Sequence, residues 1–261
     1  MARTTRNGIQ AVALPQRDQV PAWVQEQRGQ GRGTSRQAED NLIPMIQVIQ
    51  PLSPQLNRLN PSRYIEGAEP GSILLRGLEP PVAKEVLFQH CHFSKSIVEW
   101  VPRSQGGGFV ARHLTWPADV TQSKSEDGRR TVMTTRNGNQ LVETRYHVGH
   151  VVLGDAMLPF IIPFSSTGHT VSRAWMNLMN SVRLASGAVP DAWTRLYLLS
   201  TVQRSNAAGT WYQLNPQPAG WATPEQALKG EELWESFEKG DKTFGEEEDS
   251  STPILDDSAA F

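Results

Sequence analysis

The sequence is poor in the residues that ordinarily carry chemistry. Its single cysteine, Cys91, excludes an internal disulfide and fits a reducing compartment. No CxxC or HExxH spacing offers a zinc site, and no GxSxG, P-loop lysine or dinucleotide fingerprint occurs. The longest apolar run, AMLPFIIPF at 156–164, is far too short to cross a bilayer and carries two prolines. The opening MARTTRNGIQAVALPQRDQ lacks the apolar stretch of a secretion signal. These absences predict a soluble, cytoplasmic protein that is not an enzyme and holds neither metal nor cofactor.

What polar chemistry remains is scattered. In HCH at 90–92, strand alternation would put His90 and His92 on one face and Cys91 on the other, so three ligands cannot converge. His147, His150 and Asp155 are close in sequence, but the two histidines have opposite strand parity. The glycine-rich SQGGGF at 104–109 precedes a strand rather than a helix, which fits a hairpin loop better than a phosphate cradle. A hydrolase built from these histidines is the least supported reading.

Charge is distributed unevenly. From Glu231 to Phe261 there are eleven Asp and Glu against two Lys, while the preceding 230 residues carry a net charge of +7, mostly as arginine. A basic body with an acidic tail suits a polyanion partner and an internal competitor for it. Solubility alone would explain the acids but not the terminal Phe261, nor Ile254 and Leu255 beside Asp256 and Asp257. An aromatic tip flanked by carboxylates can dock in an apolar pocket with a basic rim.

Residues 1–40 are rich in Gln, Arg, Gly and Thr without periodicity, and read as a flexible arm. From residue 41 to 220, short apolar or alternating runs recur between Pro, Gly and Asn clusters, the pattern of a mostly β barrel or sandwich. In LVETRYHV, Val142, Thr144, Tyr146 and Val148 face one way and Glu143, Arg145 and His147 the other. In TRLYLLSTVQ, Leu196, Leu198 and Val202 form one face, and Arg195, Tyr197, Thr201 and Gln203 the opposite one. Two helices interrupt the strands. Val171, Trp175, Leu178, Met179 and Val182 fall at helical spacing, with Gly187 as the stop. Over 221–240, Thr223, Pro224 and Gln226 form a capping box with a first-turn proline, and Gly240 ends the helix. Residues 241–261 are the acidic tail.

Arginines recur beside aromatics through the body, the pairing that holds single-stranded nucleic acid: cations track phosphates while rings stack on bases. Lys95, Trp100, Arg103, Phe109, Arg112, Arg145 and Arg195 are the DNA-contact candidates. Tyr146 and Trp175 fit the core, whereas Tyr197 shares a face with Arg195 and is a candidate for exposure.

The tail EEEDSSTPILDDSAAF resembles that of single-stranded DNA-binding proteins of bacteria and their phages, with Asp256, Asp257 and Phe261 as its tip. Ser258, Ala259 and Ala260 separate the acid pair from the aromatic, a looser tip that is closer to the phage proteins. Residues 41–185 resemble phage early proteins through IPMIQVIQPLSP, SIVEWVPRSQGGGFVARH and PFSSTGHTVSRAWMNLM. The resemblance implies a mainly β fold, an elaborated OB-like barrel with flanking arm and tail. It also implies coating of single-stranded DNA in the host cytoplasm during replication or recombination, and recruitment of polymerase, helicase or nuclease through the tip. The alternative is a virion or assembly protein whose tail is a scaffold contact.

Overall fold

The computed structural model describes residues 43–124, 131–206 and 209–240. The proposed N-terminal arm and the acidic tail, with Asp256, Asp257 and Phe261, lie outside the described residues.

The chain runs through β1 (Ile46–Val48), β2 (Ile73–Leu75), β3 (Val82–Ala83), β4 (Val86–Trp100), β5 (Phe109–His113), β6 (Thr121–Lys124), β7 (Thr131–Thr134), β8 (Gln140–Leu153) and β9 (Ala156–Ser165). Helix α1 (Gly168–Asn180) follows, then β10 (Arg195–Asn206), β11 (Gly209–Trp221) and α2 (Pro224–Glu238). The fold is mainly β with two α-helices among the described residues, as the run-and-break pattern of the sequence predicts. β1, β2 and β3 form a small antiparallel sheet. The remaining strands form one branched, barrel-like sheet in the order β11-β10-β4-β8-β7-β6, with β5 added to β4 and β9 to β8.

β4 and β8 are the spine of this sheet, joined by twelve facing residue pairs from Phe88↔Val151 to Trp100↔Gln140. β10 pairs with the beginning of β4 and β5 with its end. Both faces of this spine are covered over part of its length. On one side Phe88, Val151, Phe160, Ile162, Tyr197 and Leu199 pack under Val171, Trp175 and Met179 of α1. On the other, Cys91, Val98, Trp100, Tyr146, Val148 and Ile161 pack with Ile43 and with Leu233 of α2. Alternation holds for β8, but it does not separate a dry face from a wet one: His147, on the nominally polar face, is fully buried.

Three local expectations need correction. His90 and His92 do not share a face, because the β4–β8 register shifts at Cys91. A bulge of one residue flips the parity beyond it. His90 therefore packs edge-on against Trp175 of α1, while His92 stacks on Phe237 of α2 at 5.3 Å. In β10 Tyr197 and Leu199 are both 0% exposed and Leu196 is buried as well, so the start of the strand is covered on both faces and the face read as polar is the one under α1. The helix through Val182 ends instead at Asn180. There the Ser181 hydroxyl and the Arg195 guanidinium donate to the Leu178 carbonyl, satisfying the last turn with side chains. Gly187, at φ +86°, closes a later turn to Leu184.

α2 forms as its sequence dictates. The Thr223 side chain accepts from the Gln226 backbone, and the Gln226 side chain accepts from the Thr223 N–H. It lies close on the sheet because residue 230 is glycine; a Cβ there would stand 2.5 Å from the Trp193 Cβ. Buried Gln89 fastens the contact, donating to the carbonyls of Trp193 and Gln226 while its oxygen meets His150 Nδ1 at 3.1 Å.

Candidate nucleic-acid interface

Strand parity and register decide which of the candidate residues meet. On β4 beyond the bulge, Phe93, Lys95, Ile97 and Glu99 share the α1 side. On β8 the same side carries Glu143, Arg145 and His147. Lys95 and Arg145 stand directly opposite each other across the two strands. Lys95 is exposed, and its ammonium lies 6.0 Å from the centre of the half-buried Phe93 ring. The Arg145 Nε donates to Glu143 Oε1 at 3.1 Å.

The first turn of α1 completes this cluster. His169 Nε2 donates to the Glu143 carbonyl at 2.9 Å, fixing the ring beside β8. Burial lowers the His169 pKa; the bond to the carbonyl opposes that shift, and Arg145 and Arg173 add to it. Arg173 itself is exposed on the outer face of α1. Lys95, Arg145 and Arg173 thus share a patch with one neutral histidine and one carboxylate, Glu143. Like charges placed directly across two strands repel, so the arrangement suits an anion that bridges them.

Arg195, at the other end of the same face, is half-buried. Its guanidinium lies 5.7 Å from the Tyr197 ring and 5.5 Å from the Trp221 ring. Tyr197 is fully buried and cannot meet a ligand, contrary to the face assignment from sequence.

The remaining candidates fall elsewhere. Trp100 is 5% exposed, packs edge-on against Phe109 at 5.9 Å, and is therefore core rather than a stacking platform. The parity of β4 places it on the α2 side, where burial under the second cluster explains its loss from the interface. Phe109, its partner, is half-buried in the same cluster. Arg112 faces Val98 and lies 5.1 Å over the buried Tyr146 ring, also on the α2 side, away from Lys95 and Arg145. Arg103 opens the one-turn segment Arg103–Gln105 after β4, and its side chain is outside the description.

Beneath the basic patch runs a buried line of polar groups that strand parity does not reveal. Ser172 Oγ lies 2.8 Å from His147 Nε2, and His147 Nδ1 lies 3.0 Å from His90 Nε2. The His147 ring stacks on Trp175 at 4.7 Å, nearly parallel. A serine and two histidines in hydrogen-bonded line resemble a nucleophile with its base, yet all three are at most 1% exposed and no substrate reaches Ser172 in this conformation. Burial pushes the His90 pKa down to about 3, with His92 adding to the shift, and lowers that of His147 by burial, then by His90 and Arg145. Both rings are neutral spacers between α1 and the sheet. Among the described residues no group of His, Cys, Asp and Glu is arranged to hold a metal ion.

The family described as Pam3 phage gp34-like protein has a model that matches residues 11–243 of the chain. No curated protein and no solved structure matches it.

Proposed function

The chain belongs to the Pam3 phage gp34-like family, and from that premise we propose that it binds single-stranded DNA during phage replication or recombination, with the acidic tail recruiting partner proteins. The observation that supports the reading is the pair of exposed Lys95 and largely buried Arg145, facing each other across β4 and β8 near Arg173 and the Phe93 ring. Cations that can follow a phosphate backbone next to an aromatic ring are what sequence-tolerant single-strand binding requires. The body's net positive charge and the opposite charge of the tail agree with it. A direct chemical role is not needed, and the protein acts as a coat rather than as an enzyme.

Fluorescence anisotropy with labelled dT oligonucleotide and a matched duplex, over a salt series, tests this. Salt-sensitive binding that prefers the single strand, and that Lys95→Glu together with Arg145→Glu weakens at least tenfold, is the expected result. Absence of binding at low salt overturns it, and stoichiometric recovery of the protein in purified particles would then assign it to the virion.

A further inference from the structure

We infer that Trp221 is a base-stacking platform at the far end of α1, a second contact for a strand held at Lys95 and Arg145; the inference rests on the single-strand reading above. Trp221 is 58% exposed, and an exposed tryptophan alone means little. Its setting is what makes it a site. Arg195 stands directly opposite it across β10 and β11, and the Arg195 guanidinium lies within 6 Å of both the Trp221 and the Tyr197 ring centres. Tyr197 is buried, so the cation sits between a fixed inner ring and the exposed outer one. It also donates to the Leu178 carbonyl at 3.5 Å, tying it to the last turn of α1. One side of the Trp221 ring is thereby engaged by a cation held in place, and the rest is left to solvent.

The backbone also positions the ring deliberately. The β10–β11 register shifts so that Leu196 faces Gly220 while Tyr197 faces Pro218, leaving Ala219 as an extra residue. Bulges of this kind redirect the side chains beside them, and Gly220 takes the positive φ of +116° that the turn in the strand needs. Just beyond, the Ala222 N–H donates to the Thr194 carbonyl at 2.9 Å, so the end of β11 is held against the start of β10.

Trp221 lies on the same side of the sheet as Lys95 and Arg145, because Arg195 and Tyr197 do. α1 connects the two places: His169 stands at the basic patch and Leu178 at the Arg195 side chain. Nine residues of helix separate them, about 14 Å at 1.5 Å per residue. A strand with bases stacked at about 3.4 Å would cross that interval in roughly four nucleotides. Its path follows Arg173, Asn177 and Asn180, three of the exposed side chains of α1. The ligand recognised at Trp221 is an unpaired nucleobase, since a duplex keeps its base faces stacked inside and offers none to the ring.

The test uses the full chain and dT12. Truncation of a stacking aromatic costs ~1–3 kcal/mol per base, so Trp221→Ala is expected to weaken dT12 binding about 5- to 150-fold while Trp221→Phe recovers most of it. The salt dependence should stay that of the unaltered chain, since no phosphate contact is removed. A dT12 carrying 5-bromodeoxyuridine should photocrosslink to the peptide containing Trp221. Thermal melts of both variants separate lost binding from lost folding. If the unaltered chain binds dT12 but Trp221→Ala binds equally well and the crosslink falls elsewhere, this inference fails alone. If the unaltered chain does not bind dT12, the single-strand reading fails and takes this inference with it.

Discussion

The side-chain amide of Gln50 pairs with the backbone of Tyr212 as a neighbouring strand would, its Nε2 donating to the Tyr212 carbonyl at 2.8 Å and its Oε1 accepting from the Tyr212 N–H at 2.9 Å. β11 is the last strand of its sheet path, and this plug occupies one step of its open edge. Pro216 and Pro218 remove two more donors from the same strand. Gln50→Ala should therefore lower stability by about 1–3 kcal/mol through loss of the pair. Urea titration reads the first effect, and light scattering at rising concentration should reveal edge-to-edge association.

Gly149 faces His90 beside the β4 bulge, and a Cβ there would stand 1.9 Å from the Gln89 carbonyl oxygen and 2.7 Å from the Phe88 ring. The obstacle is backbone in the most buried part of the sheet, so no side chain can swing aside. Gly149→Ala should cost at least ~2 kcal/mol. A melting temperature unchanged by the substitution would contradict the close approach.

Stability should fall as the solution is acidified below about pH 6.5. His90 and His147 have folded-state pKa values depressed by burial, so the unfolded chain binds protons that the fold refuses. The stability is fully present above the unfolded value and is lost progressively as pH drops below ~6.5, with His90 staying neutral down to about 3. His92 and His169, also lowered by burial, act with the same sign. Glu69 and Glu225 contribute only at lower pH, since both are shifted down from 4.5. Urea midpoints between pH 7.5 and 5 isolate the histidines; a flat profile there would refute the neutral pair.

Arg145→Gln removes one cation without reversing the charge. If Arg145 meets phosphate, the slope of log affinity against log salt should shrink by about 1, with similar losses for every sequence offered. The ring of Phe93 should matter differently: Phe93→Ala should lower affinity without altering that slope.

Truncation after Gly240 removes seven acidic residues and one lysine. If these acids compete with DNA for the basic face, the shortened chain should bind dT oligonucleotide several-fold more tightly at low salt. The difference should disappear as salt rises, because exposed charges are screened beyond about 10 Å at 0.1 M. Equal affinities at every salt concentration would refute the competition.

What could be read in the sequence was what depends on neighbours along the chain. The Thr223–Gln226 capping box is three residues wide and formed as expected. The apolar stripe of α1, with Val171, Trp175 and Met179 buried, was equally local. Prolines misled only as punctuation: Pro159 and Pro163 lie inside β9, and Pro216 and Pro218 inside β11, where they lie within strands rather than end them. The site was less legible because it depends on pairing. Lys95 and Arg145 are fifty residues apart, and only the β4–β8 register makes them neighbours. One bulged residue, Cys91, reversed the faces of everything after it, which no alternation rule anticipates. Trp221 left no periodic signal; its meaning appears only when Arg195 stands across from it.

The β4–β8 spine has a geometric corollary. Strands at both ends of the sheet hang from the same twelve pairs, and sliding that register by one residue would turn every side chain to the wrong face. Among the described residues, the strands on either side of this spine are therefore tied to one fixed register. Places set on this frame keep a constant interval, like marks on a gauge. If copies coat a DNA strand as proposed, they would sit at an even pitch dictated by the protein, whatever the order of the bases beneath them.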